Sequence, residues 1–145
     1  MVVLALLPAA SVGCGGSSST SSKAPPIEDA QGFANDFVQR LIVDGRFATV
    51  ESDVAPLLRR QVRNFQQNMR KDNVRKILGP GKLHHDCPKN RTAGVGSDCY
   101  VFQLQGRQVV PIGGVTLINA RYRMWPVWDD ESGSWEVANY DYAVK

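Results

Sequence analysis

The residues of this chain best suited to bond formation are Cys87, Cys99 and the short segment before the first of them. His84, His85 and Asp86 directly precede Cys87, and zinc accepts imidazole, carboxylate and thiolate ligands. The spacing fits no established zinc finger or ribbon, and adjacent histidines on a strand point to opposite faces of a sheet. The alternative is a disulfide between the two cysteines, which requires an oxidising compartment.

The first 14 residues bear on the compartment. An apolar run over residues 1–7 leads into Ser11-Val12-Gly13-Cys14, and an apolar run that ends in small residues is typical of a signal peptide. A cysteine directly after the small residues resembles a bacterial lipoprotein signal, in which that cysteine carries the acyl chains after cleavage. Ser11 stands where leucine is usual in such signals. Since no Lys or Arg precedes the apolar run, we expect the translation start to lie upstream of the first residue.

This resemblance implies that Cys14 is lipidated and that the protein is anchored in the bacterial cell membrane, outside the cytoplasm. Residues 1–14 are then the signal segment. Residues 15–26 contain only Gly, Ser, Thr, Lys, Ala and Pro, a composition that predicts a flexible linker. Residues 27–145 remain as a single domain, long enough for one hydrophobic core.

Export also decides between the two readings of the cysteine pair. With Cys14 assigned to the anchor, Cys87 and Cys99 remain as an even pair in an oxidising compartment, where they should be joined. The segment between them is rich in turn-forming residues, so two strands would bring the cysteines together. We therefore predict a Cys87–Cys99 disulfide and no metal site.

The apolar pattern predicts helices in the first half of the domain. Apolar residues recur at helical spacing from Ala30 to Leu41 and from Leu58 to Met69, with a continuation towards Ile77. A short helix is expected between them, over residues 47–54, and the glycines around Pro80 end the helical region.

The second half of the domain carries strand patterns. Predicted strands cover residues 82–87, 99–105, 108–112, 115–128 and 134–143. A turn is expected at 105–107, a hairpin turn at 129–133, and a bulge or bend at Gly113-Gly114. Helices followed by antiparallel strands predict an α+β fold, in which N-terminal helices pack on one face of a curved antiparallel sheet.

This order of elements resembles the nuclear transport factor 2-like superfamily, including small lipid-anchored members of actinobacterial envelopes. The matching segments are Phe33–Leu41, Phe47–Val54, Leu58–Met69 and Gly133–Val137. The resemblance covers residues 28–143 and implies a cone with an apolar pocket. Some members, such as the ketosteroid isomerase relatives, are enzymes, and many others only bind or assemble.

Aromatic residues crowd the last two strands, where they could line the mouth of such a pocket and hold a small apolar ligand. Cross-strand aromatic packing is the alternative explanation. The candidate lining residues are Tyr122, Trp125, Tyr140 and Tyr142.

Catalysis in a cone pocket needs a carboxylate base and an oxyanion donor that converge on one site. Asp98, Asp141, Tyr122, Tyr142 and His85 are the residues of suitable type, but their spacing fixes no such arrangement. The chain carries no nucleophile elbow, phosphate loop or dinucleotide fingerprint, and we expect no cofactor. The sequence therefore favours a non-catalytic binding or assembly module, whose partner is a small apolar ligand or an envelope protein. An isomerase or hydratase is the alternative.

Basic residues are concentrated between residues 59 and 91, where ten Lys and Arg face two Asp. Such a cluster could contact an anionic lipid or wall polymer, or it could be a solvated helix face. No nucleic-acid-binding motif accompanies the charge, so nucleic acid is not an expected partner. The candidate contact residues are Arg59, Arg60, Arg63, Arg70, Lys71, Arg75 and Lys76.

Overall fold

The computed structural model describes residues 27–88 and 98–145. The predicted signal segment, the linker and the lipidation site Cys14 lie outside the described residues, as does most of the loop between Cys87 and Cys99. The predictions made for them stay predictions.

Two α-helices and several short helical turns form the first layer. Their bounds are α1 at Ile27–Val38, a π-helical turn at Gln39–Val43, 3₁₀ turns at Phe47–Thr49, Glu51–Asp53 and Pro56–Leu58, and α2 at Arg59–Lys71. Along α1, Ala30, Ala34, Phe37 and Val38 are buried at steps of four, three and one, which is one face of a helix.

The second helix is shorter than its apolar pattern suggested. Val62, Phe65 and Met69 form the buried stripe that the sequence predicted. However, α2 ends at Lys71 and does not continue to Ile77, because Asn73 adopts a left-handed backbone (φ 53°) and a strand begins at the next residue.

The second layer is an open, five-stranded antiparallel sheet in the order β1-β3-β4-β5, with β2 beside β3. The strands are β1 at Val74–Ile77, β2 at Lys82–His84, β3 at Cys99–Val110, β4 at Gly114–Asp129 and β5 at Ser134–Val144. Since β4 takes one edge of β3, β1 and β2 lie one after the other along the opposite edge. Helices packed on an antiparallel sheet confirm the α+β prediction.

The turn predicted at residues 105–107 is wrong, because β3 runs through it without a break. Gly106 is required there by a close approach and not by a turn: a Cβ at this position would lie 2.8 Å from the Cα of Val74 on the neighbouring strand. The segment predicted as a separate strand at 108–112 is instead the end of β3 and the turn that follows it. Gly113 lies in the turn that joins β3 to β4.

The hairpin turn predicted between the last two strands is present at residues 130–133. Gly133 has a positive φ of 65°, a conformation in which glycine pays no steric penalty. The carboxylate of Asp129 accepts hydrogen bonds from the backbone N–H groups of Glu131 and Ser132 and so holds the turn.

Alternation along the strands gives the sheet two distinct faces. Phe102, Leu104, Tyr122 and Met124 point towards the helices and belong to the main hydrophobic core, and we call this the helix-side face. The opposite side, which we call the far face, carries a smaller buried cluster.

That smaller cluster contains the Cys87–Cys99 disulfide, which confirms the predicted pairing. The two Cα atoms lie 6.0 Å apart, because Cys99 is paired with His84 on β2 and Cys87 follows three residues later. Trp125 packs against both cysteines and is almost completely buried. The disulfide therefore joins the β2 end of the sheet to the start of β3.

Candidate functional site

The predicted basic residues on α2 have different surroundings. Arg59 donates a hydrogen bond from Nε to the carbonyl oxygen of Val54. Arg63 forms an ion pair with Glu51 at 2.8 Å and lies over the ring of Phe47. These two arginines therefore hold α2 against the preceding 3₁₀ turns. The other three predicted basic residues of α2, Arg60, Arg70 and Lys71, are exposed and form no salt bridge within the described residues.

Arg75 and Lys76 lie on β1, close to a third cation that is not among the predicted contact residues. Together with Arg107 on β3 they surround an open hollow of about 220 Å³, which we call the cationic hollow. The hollow is lined by Asn73, Arg75, Lys76, Gln105, Gly106 and Arg107. Its described lining contains three cationic side chains and no carboxylate.

A β-bulge makes this arrangement possible. Val74 pairs with Gly106 and Lys76 pairs with Gln105, so two residues of β1 oppose one of β3. A bulge redirects side chains that would otherwise alternate strictly. Val74 is buried on the helix-side face, and both Arg75 and Lys76 are exposed. The extra residue therefore puts two consecutive cations on the outside.

The rim of the hollow is tied to the sheet by Asn73, whose side-chain Nδ2 donates to the carbonyl oxygen of Arg107 at 3.0 Å. Among the described residues, the salt bridges involve Arg40, Arg63, His85 and Arg123, and none involves a cation of the hollow. Two guanidinium groups and an ammonium group near one opening can bind phosphate or carboxylate oxygens, since Arg offers a planar pair of donors and Lys a point charge.

Three of the four candidate pocket residues form an aromatic cluster on the helix-side face. The ring of Phe65 lies 5.3 Å from Tyr122, 5.3 Å from Tyr140 and 5.2 Å from Tyr142. Burial raises the pKa of the Tyr122 phenol. Burial and the negative charge of Asp72 both raise the pKa of Tyr142. The side chain of Phe65 therefore fills the space between the tyrosines.

The fourth candidate, Trp125, lies on the far face against the disulfide, so the sheet separates it from the tyrosines. Arg123 lies 5.7 Å from the centre of its ring and donates to the carboxylate of Asp141 at 2.9 Å. This carboxylate is one of the candidate catalytic residues, and it is engaged by an arginine on the far face.

The remaining candidates for acid–base or metal chemistry lie near the disulfide. His85 contacts Asp98 through Nδ1 at 3.1 Å, and both side chains are more than half exposed. Within residues 27–88 and 98–145, no group of three or more His, Cys, Asp or Glu side chains is arranged to hold a metal ion. Gln66 and Asn139 are buried polar residues in the same ranges, and Gln66 donates to the carbonyl oxygen of Gly45 at 2.7 Å.

No protein-family model matches this chain, and no curated protein matches it either. None of the helices in the described part of the chain is long and apolar enough to cross a membrane.

Sequence reasoning missed Arg107 because it assigned this residue to a turn. Its strand character was available in the apolar residues Val109 and Val110 that follow. Its proximity to Arg75 and Lys76 depends on the register between β1 and β3, for which the sequence carries no local signal.

Proposed function

We propose that this protein is a non-catalytic binding module of the bacterial cell envelope, and that its cationic hollow binds phosphate groups of an envelope lipid or wall polymer. The observation that carries the proposal is the convergence of Arg75, Lys76 and Arg107 on one opening with no carboxylate in its described lining. These cations have no ion pair among residues 27–88 and 98–145, so they are available to an external anion.

The proposal includes export on a lipid attached to Cys14. It is supported by the Cys87–Cys99 disulfide, since disulfides persist mainly in oxidising compartments. Mass spectrometry of the protein from its native host tests this part. Acylated Cys14 and an oxidised pair are expected, and an unprocessed chain with three free thiols would contradict export.

We further propose that the fold belongs to the nuclear transport factor 2-like superfamily. The order of elements supports this placement: α1, short helical turns, α2, and then a sheet that ends in a long hairpin with Gly133 and Trp135 at its turn. Membership of this superfamily alone fixes no activity, because its members include both enzymes and binding proteins.

Packing in the interior supports binding over catalysis. An isomerase or hydratase needs a cavity in which a carboxylate and a proton donor meet the substrate. In this protein Phe65 occupies the space between Tyr122, Tyr140 and Tyr142, and the candidate carboxylate Asp141 is engaged on the opposite face.

The proposal predicts that the protein binds vesicles that contain phosphatidylglycerol, or a soluble poly(glycerol phosphate), and that added salt weakens this binding. A double variant, Lys76→Gln with Arg107→Gln, removes two cations of the hollow. Each cation near an anionic surface contributes about 1 kcal/mol, so we expect a loss of roughly thirtyfold in affinity. Vesicle binding and polymer binding are compared by titration.

The matched control is Arg60→Gln with Lys71→Gln, which removes the same charge from exposed positions on α2. We expect this control to lose much less affinity than the hollow variant. Equal losses would show that net charge and not the hollow determines binding, and binding that salt does not affect would also contradict the proposal. Preference for vesicles or for polymer identifies the natural source of the phosphate.

A further inference from the structure

The β3–β4 hairpin extends well beyond the rest of the sheet. Pairing between β1 and β3 ends at Gly106, and pairing between β4 and β5 ends at Ala120. Arg107–Leu117, which we call the arm, therefore consists of two strands that pair only with each other within the described residues.

The arm exposes apolar side chains to an unusual degree. Ile112 at its tip is 97% exposed, Val109 is 77%, Val115 is 63% and Leu117 is 54%. Val109 and Val115 are directly paired on the far face, and Leu117 follows on the same face two residues later. Single exposed apolar residues are normal, whereas a contiguous set marks an interaction surface.

The backbone of the arm restricts what can cover this surface. Asn119 directs its carbonyl oxygen away from β3, where it accepts from the N–H of Lys145, so by strand alternation Val115 and Leu117 direct their N–H and C=O groups to the same outer edge of β4. No described strand meets these groups. A bilayer interior offers no hydrogen bonds, and each unsatisfied backbone group there costs several kcal/mol. Another β-strand satisfies the same groups directly, so the free edge favours a strand over a membrane as its partner.

The sequence of this edge suits a second copy of itself. Residues 114–118 are Gly-Val-Thr-Leu-Ile, with no charged side chain that would repel its symmetry mate. In an antiparallel pair centred on Thr116, Val115 of each copy lies opposite Leu117 of the other, and Gly114 lies opposite Ile118. Cross-strand pairs of apolar residues and of threonines stabilise antiparallel sheets.

This register uses every free residue of the edge. A shift of one residue would place far-face side chains opposite helix-side ones, which strand pairing does not allow. Centring on Leu117 would put Val115 opposite Asn119, whose carbonyl oxygen already accepts from the N–H of Lys145. With Thr116 at the centre, Val109, Val115 and Leu117 of both copies form one apolar surface of six side chains.

We propose that two copies of this chain associate through antiparallel pairing of residues 114–118 of β4, which joins their sheets into one. The association is isologous, because the same segment serves on both sides of a two-fold axis. It uses the edge of β4 and not the cationic hollow, so it stands independently of the proposed function.

Sedimentation of the full chain over a range of concentrations tests the proposal, and we expect a reversible monomer–dimer equilibrium. Thr116→Lys puts two positive charges opposite each other at the symmetry axis, and we expect the dissociation constant of the dimer to rise more than about tenfold. The matched control is Gln108→Lys, which adds the same charge to the exposed residue paired with Thr116 on β3, one strand away from the interface.

Cysteine cross-linking measures the register itself. Paired residues at the axis have Cα atoms about 4.5–5.5 Å apart, within the range of a disulfide, so Thr116→Cys should join the two copies under mild oxidation. The Gln108→Cys control should not, because three strand spacings, about 14 Å, separate the two positions across the dimer. Both variants retain the native cysteines, so a difference in cross-linking between them is due to the position of the introduced cysteine.

Wild-type protein that stays monomeric up to its solubility limit would overturn the proposal, and so would equal cross-linking of the two cysteine variants. Monomeric protein whose vesicle binding falls on Ile112→Ser would instead assign the arm to a membrane. Monomeric protein that retains an added peptide of residues 112–120 through its edge would assign the arm to a strand of another chain. Either result would overturn the proposal that a second copy of this chain covers the arm.

Discussion

The inner and outer halves of the β3–β4 hairpin differ in how they are stabilised. In the inner half, helices cover one face, β1, β2 and β5 cover the edges, and Leu104 is completely buried. In the outer half the same two strands continue with neither covering, and Leu117 is 54% exposed. Regular strand geometry therefore extends beyond the region that the core covers, as the proposed association through the arm requires.

The largest expected effect is on the free energy of unfolding, when leucine is replaced by alanine in the inner half and, for comparison, in the outer half. Leu104→Ala should lower the free energy of unfolding by about 2–5 kcal/mol, because it removes buried methyl groups and leaves a cavity. Leu117→Ala in dilute monomeric protein should change the free energy of unfolding by less than about 0.5 kcal/mol. Denaturant titration of both variants with wild type measures the two values.

Similar losses at the two positions would show that the arm contributes to the stability of the monomer. In that case the exposed apolar residues of the arm would need no partner, and the comparison between the two halves would fail. A small loss of unfolding free energy in Leu117→Ala, together with a weaker dimer, would show that Leu117 contributes to association and not to the stability of the monomer.

The helices and the part of the sheet that they cover were largely predictable from the sequence. Helical spacing around Phe37 and Phe65, the hairpin turn before Gly133 and the pairing of two cysteines are local signals or follow from compartment. The outer half and the hollow were not predictable. In the sequence, Gly106 is equally consistent with a turn and with a close approach of two strands. The position of Val74 on the neighbouring strand decides for the close approach.

The cationic hollow illustrates the same limit. The basic cluster was visible as composition, but the sequence pattern continued α2 towards Ile77 and so put Arg75 and Lys76 on a helix. A left-handed residue at Asn73 and a bulge in β1 determine where they point. Both depend on how β1 meets β3, which is a tertiary contact between segments about 30 residues apart in sequence.

A second prediction concerns the covalent link at the inner end of the hairpin. Replacing both Cys87 and Cys99 by Ala should lower the free energy of unfolding by about 3 kcal/mol, the value expected from chain entropy for a closed loop of this size. Reductant should destabilise wild type by a similar amount and leave the double variant unchanged, which serves as the internal control.

The link lies at the end of β3 opposite the arm. We therefore expect the double variant to keep the same dissociation constant for the dimer, measured by sedimentation below the unfolding transition. A dimer that weakens when the disulfide is lost would show that the inner half of the hairpin affects association at the outer half, so the two halves would not be independent.

The smallest expected effect is a pH dependence of stability that arises in one hairpin turn and not in the other. The turn between β4 and β5 is held by the side chain of Asp129, whereas the turn of the arm is closed by a backbone hydrogen bond from Gly113 to Val110. Hydrogen bonds from the Ser132 side chain and from the backbone N–H groups of Glu131 and Ser132 lower the pKa of Asp129. Because the folded state prefers the ionised carboxylate, its contribution to stability is present above the unfolded pKa of about 3.9 and is lost as the pH falls through the lower folded value.

Asp129→Ala should therefore be less stable than wild type at neutral pH, and the difference should narrow as the pH falls below about 4. Thermal unfolding of both proteins from pH 7 to pH 2 measures the difference. Gly113→Ala, which places a side chain at a positive φ of 86° in the turn of the arm, should destabilise the arm without this pH dependence. If both variants showed the same pH profile, the turn carboxylate would have no specific role, and the two ends of the sheet would be held in the same way.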